Sequence, residues 1–197
     1  MKRSILTATI LLVIPLSAHA QTETILSRDA EKGGYGGPTV KFMQAAGDFG
    51  LLVGGQGAFV WGRTFAVGGG GWGLTTEHTI TDQALNDYDL DFGYGGILFQ
   101  YLRDPGKVVH WDAELLVAWG DITFRPLNGG TRVEETLMVF EPAAHAMLNI
   151  SEGLRVGLGF GYRFVTRFSD TVKTQFDISE SVVDGYSVNV TFRFGRY

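Results

Sequence analysis

From Tyr35 onward apolar and polar residues alternate with a period of two, and this restricts the chain to β-strands with two chemically different faces. The clearest run is Leu154 to Phe168, where Val156, Leu158, Phe160, Tyr162 and Phe164 oppose Arg155, Gly157, Gly159, Gly161, Arg163 and Arg167. In Val108 to Gly120, Val109, Trp111, Ala113, Leu115, Val117 and Trp119 oppose His110, Asp112 and Glu114. Near the end, Tyr186, Val188, Val190, Phe192 and Phe194 oppose Ser187, Asn189, Thr191 and Arg193. Weaker alternation covers Tyr88 to Tyr101 and Thr136 to Asn149. Tyr35 to Gln44, Phe49 to Trp61 and Phe65 to Leu74 are strand-like, but their glycines leave the facing open. Glycine fills 28 of 197 positions, which excludes a helical bundle because each helical glycine costs about 1 kcal/mol.

The first twenty residues stand apart. Lys2 and Arg3, the apolar run Ile10 to Leu16, and Ala18-His19-Ala20 before Gln21 form a cleavable export signal. Pro15 and the short apolar length rule out a membrane anchor there. Residues 21–34 read as a flexible leader and residues 35–197 as one β-domain. There is no cysteine, which removes disulfide scaffolds, thiolate metal sites and thiol nucleophiles. The net charge of −5 argues against a nucleic-acid partner, whose binders carry a basic face. No later stretch is apolar for long enough to be a membrane helix, so the exported chain is either soluble or a closed membrane barrel.

The connections between the eight strand candidates carry more information than their number. Gly62 to Thr64, Arg103 to Lys107 and Ile150 to Gly153 are short, whereas Thr75 to Asp87, Arg125 to Glu134 and Ser169 to Asp184 are long and polar. Only Ala45 to Asp48 departs from the pattern of short turns on one rim and long loops on the other. Membrane barrels sort their connections this way. Alternation alone does not say which face is outside, since a soluble barrel hides its apolar face and a membrane barrel presents it to lipid. Trp111 and Trp119 lie on one face, roughly 26 Å apart along a strand, close to the height of the lipid band. With Tyr186 and Phe194 they are candidate interface aromatics, and the glycines between the arginines of Leu154 to Phe168 suit a crowded interior.

The last strand, Gly185 to Phe194, begins with Gly185 and closes on Phe192 and Phe194. In this it resembles the small outer-membrane β-barrel proteins of Gram-negative bacteria, whose final strand carries a glycine and terminal aromatics read by the insertion machinery. The resemblance covers about Tyr35 to Tyr197 and is one of pattern. It implies an all-β, eight-stranded, antiparallel transmembrane up-and-down barrel, monomeric, in contact with outer-membrane lipid and the insertion machinery. The roles it implies are structural, adhesive or envelope-interacting, with no cofactor and no catalysis. Two other readings compete: a soluble, exported, lipocalin-like barrel for a lipophilic ligand, and an outer-membrane lipid-modifying enzyme.

With the polar face inside, Asp89, Asp91, His110, Asp112, Glu114, Glu141, His145, Arg155, Arg163, Arg167 and Arg193 point into the lumen. Near-equal numbers of both signs in a narrow space predict an ionic plug, because a buried ion left without a partner costs several kcal/mol. Glu141 is the expected partner of Arg163, with Glu114 at similar depth. Catalytic material is thin. Ser169, His78 and Asp82 are a conceivable loop triad, and His110, Asp112 and Glu114 a weak metal set that lumen arginines neutralise. Gly68 to Gly73 matches a dinucleotide-binding spacing, but a polar loop follows where that motif requires a helix.

Overall fold

The computed structural model describes residues 32–45, 47–82, 84–166, 174, 176 and 182–196. The expected export signal, residues 21–31 of the expected leader, and Tyr197 lie outside them. The strands are β1 (Lys32–Ala45), β2 (Asp48–Trp61), β3 (Phe65–Leu74), the three-residue β4 (Thr79–Thr81), β5 (Asp87–Arg103), β6 (Val109–Pro126), β7 (Val133–Ser151), β8 (Leu154–Val165) and β9 (Gly185–Arg196). Each long strand pairs antiparallel with its neighbour in sequence, and β1 pairs with β9. The sheet therefore closes into an eight-stranded antiparallel barrel, with β4 an extra edge paired to the start of β5. β1 begins at Lys32, three residues before the expected start, because Gly33 and Gly34 pair with β2 although they carry no alternation. The lone tripeptide Thr79–Thr81 offered no period to detect.

Short turns join β2–β3, β5–β6 and β7–β8 on one rim, where Lys32 and Arg196 also lie. On the other rim β1–β2 is a tight turn with Gly47 at φ +88, and the remaining connections are longer. The barrel is uneven in height. β5, β6 and β7 have 17, 18 and 19 residues, against 10 in β3 and 12 in each of β8 and β9. Eighteen residues span roughly 59 Å along a strand, so even when tilted these three project past a lipid band about 25 Å tall.

That projection reverses the chemistry of both faces. On β6, His110, Asp112 and Glu114 face inward near the short-turn rim, and Leu116, Ala118, Ile122 and Phe124 continue the same face upward. Outside, the apolar stretch from Trp111 to Trp119 gives way to Asp121, Thr123 and Arg125. Within the lipid band the barrel is apolar outside and carries its buried charges inside, beside a small apolar cluster of Tyr35, Ala58, Val60, Ala66 and Leu102; above it, water outside demands polar residues on the outer face and apolar ones within. The upper lumen is accordingly an apolar core containing Leu90, Phe92, Ile122, Phe124 and Leu137, with Trp72 at its base against Lys41. This corrects two expectations. Asp89 and Asp91 face outward, with Tyr88, Leu90 and Phe92 taking the inner positions, and Asp91 pairs with Arg125 on the outer surface. The connection before β9 is not wholly a solvated loop, because Phe176, Val182 and Val183 are buried in this core. Phe176 stacks on Phe124 at 4.3 Å between centroids and meets Tyr88 edge-on at 4.8 Å.

The glycine-rich strands have a packing reason. A Cβ on Gly70 would come within 2.5 Å of the Trp72 ring and one on Gly54 within 2.7 Å, so these residues make room for an indole inside the barrel. The outer face yields a prediction. Leu115→Arg costs about 2–4 kcal/mol on unfolding in lipid, whereas Thr123→Arg, on the same face above the band, costs little. Equal costs at the two positions would contradict the assigned membrane level.

Candidate functional site

The polar lumen is built in two layers of buried charge. In the upper layer Glu141 accepts hydrogen bonds from Lys41 Nζ (2.6 Å), Tyr94 Oη (2.7 Å) and Arg163 Nε (3.4 Å). Lys41 also lies 3.6 Å from the centroid of Trp72, and Arg163 packs against the rings of Tyr94 and Phe92. All three ionic side chains are at most 1% exposed. In the lower layer Asp112 accepts from Arg193 Nη1 (2.7 Å) and contacts His145 Nδ1 (2.9 Å). Glu114 accepts from Gln100 (2.6 Å) and Gln56 (3.3 Å), with Arg193 Nη2 at 3.8 Å, and Tyr35 donates to Gln100.

Within the two layers three carboxylates, Asp112, Glu114 and Glu141, thus face three cations, Lys41, Arg163 and Arg193, so each buried ion there has a partner. Among the residues expected in the lumen, Asp112, Glu114, Glu141, His145, Arg155, Arg163 and Arg193 are all buried there. Arg155 lies toward the short-turn rim, where its Nη1 donates to the Gly195 carbonyl at 3.0 Å. Arg167 is outside the described residues. Glu141 does meet Arg163, while Glu114 joins the lower layer. The sequence reading missed Lys41, Gln56, Tyr94 and Gln100. A signal for the first existed, since Thr39, Lys41 and Met43 alternate with Val40 and Phe42, but the glycines around it obscured the period. The other three sit singly among apolar or glycine neighbours.

Glycines on β8 create the space for these side chains. A Cβ on Gly159 would lie 2.1 Å from the ring of His145, and one on Gly157 would lie 2.4 Å from the sulfur of Met147.

The catalytic and metal candidates fare differently. His78 is held by the Thr76 carbonyl (3.0 Å) and the Phe49 carbonyl (3.2 Å), so both ring nitrogens face backbone. Asp82 instead accepts from the backbone of Asn86 (2.8 Å) and Ala84 (2.9 Å). Those bonds, the Asn86 N–H first, hold its carboxyl below the ordinary carboxylate range. The two residues do not pair, and Ser169 lies outside the described residues. Asp112, Glu114 and His145 bring ligand atoms within 4.8 Å of one another, with His145 in place of the expected His110. Arg193 already holds both carboxylates, so a divalent cation there would have to displace a guanidinium.

On the outer face, Trp111 (50% exposed), Trp119 (52%), Tyr186 (65%) and Phe194 (54%) project outward, Trp111 and Phe194 toward the short-turn rim and the other two toward the loop rim. Phe192 also faces outward, and Gly185 opens β9 at φ +140. Between these aromatics Val117, Leu158, Phe160 and Val188 cover the surface. This places the apolar face outside, the reverse of a soluble barrel enclosing a lipophilic ligand. The chain has the fold of the eight-stranded outer-membrane barrels. The N-terminal β-barrel domain of Pseudomonas aeruginosa OprF superposes with a TM-score of 0.57 at 10% identity, over 84% of this chain and 98% of that one. Neisserial surface protein A gives 0.57 at 10% identity, over 84% and 97%. The Yersinia pestis attachment invasion locus protein Ail gives 0.51 at 11% identity, over 84% and 98%. No protein-family model matches the sequence, and no curated protein is significantly similar to it.

Two outcomes follow from the lumen. In a double-mutant cycle on unfolding in detergent or lipid, Arg163→Met alone costs about 3–5 kcal/mol, and its combination with Glu141→Gln costs less than the sum. Strict additivity would contradict the contact. Gly159→Ala drives His145 off Asp112 and costs about 1–3 kcal/mol, whereas Gly153→Ala, with open space around it, is neutral.

Proposed function

We propose that this protein is a monomeric outer-membrane barrel with a closed lumen, exported through its N-terminal signal and displaying its loops at the cell surface in a structural, adhesive or envelope-interacting role. The observation that carries this reading is the filling of the lumen. The charge layers occupy the membrane-level interior, and the apolar core with Phe176 lies above them, so water and solutes meet two successive obstructions. Fixed ion pairs do not serve conduction, which needs sites weak enough to release an ion.

The strand ending on Phe192 and Phe194 is the segment read by the insertion machinery, with Gly185 at its start. Two of the similar structures are by name a surface protein and an attachment and invasion protein, which supports a surface role here. A lipid-modifying activity finds no support in the geometry at His78 and Asp82.

The mature chain is expected in the outer-membrane fraction, soluble only with detergent, and with no steady single-channel conductance in planar bilayers. Protease added to intact cells cuts in residues 75–86 or 127–132 and spares 104–108. Recovery in the soluble periplasmic fraction would overturn the placement, and a stable open conductance would overturn the closed lumen.

A further inference from the structure

The two rims differ in charge in a way that neither the plug nor the loops explain. On the short-turn rim three outward aromatics are each followed two residues later by an arginine: Trp61 by Arg63, Tyr101 by Arg103, and Phe194 by Arg196. At the loop rim the residue two steps beyond the aromatic is acidic, Asp121 after Trp119 and Asp184 before Tyr186. Two residues advance a strand roughly 6–7 Å, the step that carries Arg103 beyond Tyr101 on β5 and Arg196 beyond Phe194 on β9 to the depth of a phospholipid phosphate, while Arg63 lies in the β2–β3 turn beyond Trp61.

Two of these arginines also line a cavity of about 570 Å³ at the short-turn rim, together with Lys32 and the buried Arg155. Among the described residues Glu152 is the only acid lining it. The Glu152 contact with Arg196 is 3.7 Å long between side chains more than four-fifths exposed, so it neutralises little. Arg63 reaches across the β5–β6 turn, where its Nη2 lies 3.2 Å from the position a Cβ on Gly106 would take. Arg103, which does not line the cavity, is matched by Asp104 at 3.5 Å.

We infer that this cavity binds the phosphodiester headgroup of a net-anionic phospholipid from the leaflet at the short-turn rim, held by Lys32, Arg63 and Arg196. The inference depends on the membrane placement proposed above. Guanidinium groups suit the ligand because they donate two parallel hydrogen bonds to phosphate oxygens. The cavity opens across the lumen mouth and is far larger than an inorganic phosphate, so a headgroup would fold over the rim into it while its acyl chains stay outside against Trp61 and Phe194.

The test uses the full mature protein in nanodiscs of phosphatidylcholine with a minority of phosphatidylglycerol, followed by native mass spectrometry of retained lipid. Phosphatidylglycerol is expected to be retained well above its share, with the preference falling roughly fivefold for each of Lys32→Gln, Arg63→Gln and Arg196→Gln. Arg125→Gln, at the loop rim, leaves it unchanged. Retention in proportion to lipid composition, or a preference that survives the triple substitution, would overturn the site. Displacement of the retained lipid by glycerol phosphate at modest excess would show a site for free phosphates and would overturn the lipid assignment. Failure to enter nanodiscs at all would overturn the membrane placement itself, and circular dichroism of each variant shows that the barrel remains folded.

Discussion

Each carboxylate in the two charge layers of this barrel is answered by a cation within 3.8 Å, and the rest of the structure is arranged around that requirement. A carboxylate removed from water and left alone costs several kcal/mol, more than most strand contacts return. Asp112, Glu114 and Glu141 meet Lys41, Arg163 and Arg193 in two layers drawn from five of the eight long strands: β1, β6, β7, β8 and β9. The ion pairs are therefore cross-braces, and their cost in desolvation is offset only because the aromatic rings of Trp72, Tyr94 and Tyr35 and the amides of Gln56 and Gln100 complete the surroundings.

Space for those side chains is made elsewhere in the sequence, by the glycines beneath Trp72 and His145. The high glycine content is thus the counterpart of a crowded lumen. Above the charge layers the same wall changes character, because its outer side no longer touches lipid and its inner side no longer needs ions. Three long strands carry both environments along one chain, and Phe176, Val182 and Val183 pack into the upper one.

These features explain which parts of the molecule were legible in the sequence. The alternation of β8 and β9 was read correctly because one membrane environment covers each of these short strands for nearly its whole length. Sorting of connection lengths gave the rims, and the two tryptophans of β6 gave the outer face. The reading failed where a strand crosses from lipid to water. On β5 a rule valid only at membrane depth points Asp89 and Asp91 inward, whereas above that depth polar residues face outward. Lys41 was missed because the glycines of β1 obscure its alternation, and its pairing with Glu141, one hundred residues away, leaves no local signal at all. Periodicity reports which residues share a face; it does not report which faces meet.

The central claim is that the apolar face meets lipid and the charged face is sealed within. The four tryptophans test it directly, because Trp72 lies inside the barrel at 4% exposure while Trp111 and Trp119 stand on the outer surface. Variants retaining one tryptophan each, the others replaced by phenylalanine, can be folded into bilayers whose acyl chains are brominated at defined depths. The account predicts that lipids brominated near the headgroups quench Trp111 and Trp119 strongly and leave Trp72 fluorescent. Quenching of Trp72 as deep as that of the other two would contradict it.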